Sequence, residues 1–261
     1  MRYFRLYAYF LRFSFSKALN FRLDFFFRIF MDIIYYFVNI SFFKLVYLHT
    51  PLLGDWNESQ IMVFVSSYLV VDAINMTVFS SNMWWLPYFI NKGELDYYLT
   101  RPVSPLFFLS FREFSANSFV NFFMAFGLLT YALASYPTSF NFGELLLFAV
   151  LLLNGVLLYY AIQMMMILPV FWTHSSRGFV DLFYALGLAM ERPDKIFKGW
   201  LRVIFTTILP FALIASFPTR LFLDKFEWQT LLHLTIVTIS LWSVMLFVWR
   251  KGLRAYSSAS S

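Results

Sequence analysis

The chain has 261 residues, of which 61% are hydrophobic, 23% aromatic and 13% charged, with a net charge of +6 and no cysteine. Soluble domains carry about 25% charged residues, so this composition cannot cover a water-facing surface and excludes a soluble fold. Without cysteine there is no disulfide, thiolate metal site or cysteine nucleophile. Runs such as Leu145–Tyr160 do not alternate apolar and polar residues, which argues against a membrane barrel, and the expectation is an all-α polytopic membrane protein.

Residues 1–22 read as an amphipathic helix lying along the membrane interface. Arg2, Arg5 and Arg12 fall within about 80° of one another at 100° per residue, and Tyr3, Phe4, Tyr7, Tyr9, Phe10 and Leu11 supply apolar surface. The plainer reading of the same residues is a basic topology anchor. No cleavable signal is expected, because the basic and aromatic residues are mixed rather than followed by a clean apolar core.

An apolar stretch of about 20 residues crosses the hydrocarbon as a helix. The first is 25–47, in which Arg28 and Asp32, four apart, are placed to pair and Lys44 to snorkel. The loop His49–Gln60 has no Lys or Arg and carries Asp55 and Glu58. The second span is 61–83, with Asp72 near its middle. A carboxylate there costs about 3 kcal/mol on insertion scales, so it must face protein or water. It reads either as a position on a substrate path or, the commoner role, as a buried hydrogen bond to another helix.

The polar segment Asn91–Pro105 follows. Gly93 permits a turn, Glu94 through Arg101 can form two short helical turns, and Pro102 and Pro105 stop them. Glu94 and Asp96 near the start and Arg101 near the end suit the helix dipole. Leu95, Tyr98 and Leu99 lie at helical spacing, a face that suits a groove on a partner, although spacing alone slightly favours an ordinary interfacial loop helix.

The third span is 114–135, the fourth 145–171 and the last 231–249. Between the last two lie Gly178–Met190 and Gly199–Leu223. Lys and Arg gather before the first span, in the segment holding Lys92 and Arg101, and in the tail at Arg250, Lys251 and Arg254, while Tyr136–Glu144 has none. Both termini are therefore expected in the cytoplasm. The positive charge reads as topology rather than nucleic-acid binding. Even parity then gives six crossings, so only one of the two remaining candidates crosses. Hydropathy favours Gly199–Leu223, although Pro210 and Pro218 break it, and a broken helix needs protein or water to satisfy its freed carbonyls. Ser257–Ser261 reads as a disordered tail.

His49, His174 and His233 are far apart, with no metal-ligand spacing, and most tryptophans fall at span ends as an interfacial belt. There is no nucleophile elbow, no phosphate-cradling Gly-rich loop and no carboxylate cluster in the sequence, hence no catalytic site and no nucleotide-hydrolysis site of its own. A lipid-modifying membrane enzyme needs clustered His, Asp or Ser at one interface. An ion-coupled secondary transporter would use Asp72 and work without an ATPase.

Ile90-Asn91-Lys92-Gly93-Glu94-Leu95-Asp96, followed by Leu99-Thr100-Arg101-Pro102-Val103-Ser104-Pro105-Leu106, resembles the Gly-x-Leu-Asp…Leu-x-Arg-Pro-x-x-Pro segment of the ABC-2-type permease family, the integral-membrane subunits of bacterial exporter-like ABC transporters. A late Ile208-Leu209-Pro210 … Ser216-Phe217-Pro218 pattern agrees in outline. The resemblance implies a coupling helix at 91–101 that enters a groove on a separate cytoplasmic ATPase, present in two copies, with Gly93, Glu94, Leu95, Asp96, Leu99, Arg101 and Pro102 at the contact. It implies that ATP and Mg belong to that ATPase and that this chain binds no cofactor. It further implies a second permease, identical or different, a lipid-facing multi-pass subunit in the bacterial cytoplasmic membrane, and residues 1–22 as the connecting helix. It places the fifth span near 172–190 and makes 199–223 re-entrant from the outer side, reversing the preference from hydropathy.

Overall fold

The structure, a computed structural model of the chain, describes residues 2–20, 22–224 and 226–256, without the side chains at 2, 17–20, 22, 24 and 117. The side chain of Arg2 and the tail 257–261 lie outside the described residues. Helix α1 (Arg2–Asn20) leads into α2 (Arg22–Tyr47), and a loop brings the chain to α3 (Glu58–Asn75). A π turn at Met76–Ser80 joins α3 to α4 (Ser81–Asn91) in one continuous rod. The short helices α5 (Asp96–Leu99) and α6 (Pro105–Phe111) precede α7 (Ala116–Ala134). Then come α8 (Phe142–Ile167), α9 (Val170–Thr173) and α10 (Arg177–Gly187). The chain closes with α11 (Gly199–Val203), α12 (Ala212–Leu223) and α13 (Trp228–Ala255).

The rod Glu58–Asn91 is the centre of the bundle. Of its apolar window 72% is buried, against 11% for α2 and 22% for α13, and α2, α7, α8 and α12 pack around it. Matching capping boxes start α3 and α8: Asn57 and Asn141 each accept from the backbone N–H three residues on, and Gln60 and Glu144 return the bond. The π turn has a structural use. A π turn leaves carbonyls outside the regular ladder, and the Thr77 carbonyl accepts from the Ser115 N–H at 2.9 Å. Asn82 completes the tie, donating to the Glu113 carbonyl at 2.7 Å and accepting from its N–H at 2.9 Å. The loop before α7 is thus satisfied without water, as the bilayer requires.

Among the described residues, four helices are long and apolar enough to cross a membrane, Phe25–Tyr47, Glu58–Asn91, Phe142–Thr173 and Trp228–Ala255. A fifth is reached only if Gly199–Ile208 and Ala212–Leu223, bent by 95° to each other, count as one span. The expected fifth span at 172–190 is not one helix. Trp172 and Thr173 finish α9, His174 turns the chain in a left-handed conformation at φ 53°, and α10 has 11 residues, about 16 Å at 1.5 Å per residue. Helix α7 has 19 residues, about 28 Å.

The two limbs of the bent pair are tied to each other through one buried carboxylate. Asp194 is fully buried and accepts from Arg202 at 3.3 Å and Arg220 at 3.1 Å, one on each limb. The Ser216 hydroxyl donates to its carboxylate at 2.7 Å and accepts from its N–H at 3.1 Å. Next to it, Lys195 reaches Asp55 in the α2–α3 loop at 2.7 Å. That hydrogen bond, and then the ammonium charge, hold the exposed Asp55 carboxyl below its ordinary value. The returning limb stacks Phe222 on Phe148 and Phe140, in the first turns of α8 and the loop before it, at 4.1 and 4.4 Å. In the middle, α12 crosses α8 so closely that a Cβ on Gly155 would lie 2.1 Å from the Ile214 carbonyl oxygen.

A side chain at 155 must therefore push two backbones apart. Gly155→Val is expected to cost about 3 kcal/mol and to lower the unfolding midpoint in detergent. Gly127→Val, where nothing stands within 4 Å of the new Cβ, is expected to leave it unchanged.

Candidate functional site

The loop after α4 is built inwards. Gly93, at φ 74°, ends α4 in the left-handed conformation that suits a helix C-terminus, and the Leu95 N–H returns to the Phe89 carbonyl at 3.1 Å. One helical turn, α5, then forms, flanked by i→i+3 bonds at Tyr97 and Arg101 rather than the two turns expected. Ser104 caps α6, accepting from the Phe107 N–H, and Pro105 opens it.

The apolar face of this turn is not offered to a partner. Leu95 is 0% exposed and Tyr98 is buried. Tyr98 packs between Phe89 and Phe108, at 5.2 and 5.3 Å, and its hydroxyl accepts from Arg112, whose guanidinium lies 4.5 Å over the Phe89 ring. Leu95 is thus a root of the loop rather than a contact residue. Asp96, Leu99 and Gly93 are half-buried, while Glu94, Tyr97, Arg101 and Pro102 are exposed. The Arg101 guanidinium lies 4.2 Å over the Tyr97 ring, so the outer surface of the loop is a compact, charged and aromatic knob.

Three further elements hold the knob. Helix α1 interleaves with α6 through Tyr3–Phe107, Tyr7–Phe111 and Phe10–Phe108, at 4.7, 5.7 and 5.1 Å, and the Ser14 hydroxyl accepts from the Phe114 N–H at 3.0 Å. Asn91 donates to the His174 carbonyl at the α9 corner at 2.9 Å. At the end of α13, Tyr256 lies beside Asp96. Burial, and then the Asp96 charge, raise this phenol above its ordinary value. The sequence shows the aromatic N-terminus but not its partners, because rings at 107, 108 and 111 read only as the approach to a span.

A second feature lies inside the bundle. Asp72 does not stand alone: it faces a cavity of about 540 Å³ between α2, the α3 rod, α7, α8 and α10. The Tyr159 hydroxyl donates to Asp72 at 3.2 Å, and the Tyr35 hydroxyl to Glu191 at 3.0 Å. Asp32 lines the same space, in the charge field of Arg28 and within hydrogen-bonding reach of the Asn121 side chain. Both readings of Asp72 therefore meet here, a hydrogen bond to another helix and a position on a cavity wall. Glu191 was not legible as its companion, since more than a hundred residues separate them. Two of the three histidines meet backbone carbonyls: the His49 ring meets the Leu45 carbonyl at 3.2 Å, and that of His233 meets the Thr206 carbonyl at 2.9 Å. Among the described residues, no three His, Cys, Asp or Glu side chains are grouped to hold a metal ion.

Residues 33–260 match the family model described as ABC-2 family transporter protein. No curated protein and no solved structure matches the chain.

Leu95 and Tyr97 separate root from surface. Leu95→Ala is expected to cost about 3 kcal/mol and to lower the unfolding midpoint, whereas Tyr97→Ala is expected to leave it within experimental error. Thermal unfolding of the two variants in detergent measures both.

Proposed function

The chain belongs to the ABC-2 transporter family, and on that premise we propose that it is the permease subunit of an exporter whose energy enters through the knob at residues 93–102. The family is one of transporter membrane components that work with an ABC ATPase, so the chain is a membrane subunit rather than an enzyme. The proposal adds two ATPase copies holding ATP and Mg, a second permease, and a bacterial cytoplasmic membrane with both termini inside.

The observation that carries this reading is the contrast between the two sides of the knob. Its apolar residues lock it to α4 and α6, and its exposed residues, Glu94, Tyr97, Arg101 and Pro102, form the tip. A tip that moves only with its helices is what a lever needs. When the ATPases close on ATP, displacement at the tip passes through Tyr98, Arg112 and Phe89 into the α4 end of the central rod, whose other half carries Asp72. Glu94, Tyr97 and Arg101 are the docking residues in this account, with Gly93, Asp96, Leu99 and Pro102 shaping them.

The membrane path proposed is six crossings, α2, the α3–α4 rod, α7, α8–α9, the segment from α10 to Met190, and α13, with α11 and α12 re-entrant from the outside. Its supports are the ties already described: Asn91 to His174 and Tyr256 beside Asp96 at the inner end, and Lys195 to Asp55 and Phe222 to Phe148 at the outer end. Lys195, Arg202 and Arg220, which would otherwise weaken an outward assignment under the positive-inside rule, are paired with Asp55 or Asp194. The thinly buried α2 leaves an apolar face for lipid or for the second permease.

Arg101→Glu alters only the exposed tip and is expected to leave folding intact. Co-purification of the cognate ATPase should then fall at least tenfold, together with transport-coupled ATP hydrolysis. Wild-type assembly and coupling in a charge-reversed Glu94→Arg/Arg101→Glu double variant would show that the tip is not the docking surface.

A further inference from the structure

Helix α1 has three faces of different chemistry. At about 100° per residue, Tyr3, Tyr7, Phe10 and Ser14 fall within about 60° of one another, and these are the side chains that meet α6 and the Phe114 N–H. Phe4, Leu11 and Phe15 form a second, uncharged face within about 40°, on which Phe4 is 79% exposed. Arg5, Tyr9 and Arg12, all exposed, form the third within about 60°. A helix with an exposed apolar face beside a basic one lies in the membrane surface, its arginines level with the lipid headgroups.

Where the third face meets the loop tip there is a groove of about 680 Å³. Arg5 lines it from α1 and Arg101 from the loop, and no carboxylate lines it. Among the described residues neither guanidinium has an ion-pair partner; that of Arg101 lies over the Tyr97 ring. The basic cluster of α11 and α12 is different, because Lys195, Arg202 and Arg220 are all answered by Asp55 or Asp194. Leu6, Tyr9, Val103 and Phe108 make the rest of the wall apolar. Guanidinium forks match phosphate oxygens, so the wall suits a phosphate joined to an apolar body. Free phosphate leaves the apolar wall uncovered. A zwitterionic headgroup brings an ammonium to a groove that has no carboxylate to receive it. An acidic peptide satisfies the arginines but does not need a wall made from a helix of the membrane surface.

We propose that this groove holds the headgroup of an anionic phospholipid, with Arg5 and Arg101 on its phosphate and Leu6, Tyr9, Val103 and Phe108 against its glycerol and first methylenes. Anionic lipids attract basic side chains at the membrane surface, and here the two that meet the phosphate come from separate elements. The lipid therefore bridges α1 to the loop tip and fastens the tip to the bilayer. This goes beyond the permease reading, since it requires a membrane but no ATPase. Arg101 enters both proposals and Arg5 only this one, so Arg5 tells them apart.

The test uses the full chain in a neutral detergent, titrated with dioleoyl phosphatidylglycerol, dioleoyl phosphatidylcholine or glycerol phosphate and read by native mass spectrometry. Phosphatidylglycerol is expected to form its first adduct at a concentration at least tenfold below that of phosphatidylcholine, and glycerol phosphate, which lacks the chains, to form none in that range. Arg5→Gln and Arg101→Gln are each expected to bring phosphatidylglycerol to the level of phosphatidylcholine. Arg12→Gln, on the same face of α1 but outside the groove, is expected to leave the preference intact. Equal binding of the two lipids, glycerol phosphate binding as tightly as phosphatidylglycerol, a preference that survives both groove variants, or one that Arg12→Gln reduces as far as Arg5→Gln does, overturns the inference. Co-purification of the ATPase is read on the same variants. Arg5→Gln is expected to keep the ATPase while losing the lipid. Loss of the ATPase with the lipid preference intact would assign the groove to an acidic segment of the ATPase and overturn the inference, whereas lipid preference in a wild-type chain that retains no ATPase removes the permease reading alone.

Discussion

Hydrocarbon offers no hydrogen bonds, and a polar group placed in it must find its partner within the protein. Two departures from straight helices in this chain are positioned where that demand is met. The π turn at Met76–Ser80 gives up regular bonding, and the Ser115 N–H takes up the Thr77 carbonyl. The break at Leu209–Phe211 removes a donor at Pro210, and the two limbs around it are held together by the fully buried Asp194 with Arg202, Arg220 and Ser216. Removing one member of such a buried group costs about 3–5 kcal/mol, because the remaining charge stays behind. The bend is therefore specified by a charge cluster at its mouth and by Gly155, which lets α12 approach α8.

The same constraint makes the exceptions informative. The Asn121 oxygen is buried and unmet, and three carboxyl groups share a cavity with one arginine. Asp72 is one of these three carboxyl groups. It lies on the rod Glu58–Asn91, whose far end is fixed into the loop through Phe89, Leu95 and Tyr98. Cavity and knob are two ends of one stiff element, a geometry suited to converting a push at one into a change of shape at the other.

The long apolar helices were legible: α2, the α3 rod, α8 and α13, each long and apolar enough to cross a membrane, form where the sequence has long apolar runs. Gly93 and Pro102 marked the loop, because a left-handed turn and a helix stop have sequence signatures. The direction in which Leu95 points was not legible. Leu95, Tyr98 and Leu99 fit a partner groove and an internal core equally well by spacing, and only Phe89 and Phe108, brought in from both sides, decide for the core. Hydropathy put Gly199–Leu223 forward as one span, and the structure divides it into two helices. Length and apolarity do not reveal a 95° bend, whereas Asp194, Arg202 and Arg220, read together, would have shown that the two limbs share one end. Glu191 escaped notice because its partners Tyr35 and Asp72 come from helices distant in sequence.

The central claim is that the exposed tip of the loop meets an ATPase. Because the chain has no cysteine, a single engineered thiol reports on a single place. With the cognate ATPase co-expressed in membranes, Tyr97→Cys carrying a short photo-crosslinker is expected to give a covalent adduct with the ATPase. The same label at Phe140→Cys, at the opposite end of the bundle, is expected to give none. Adducts of equal yield from both positions, or none from Tyr97→Cys in a complex that still couples ATP hydrolysis to transport, would contradict the account.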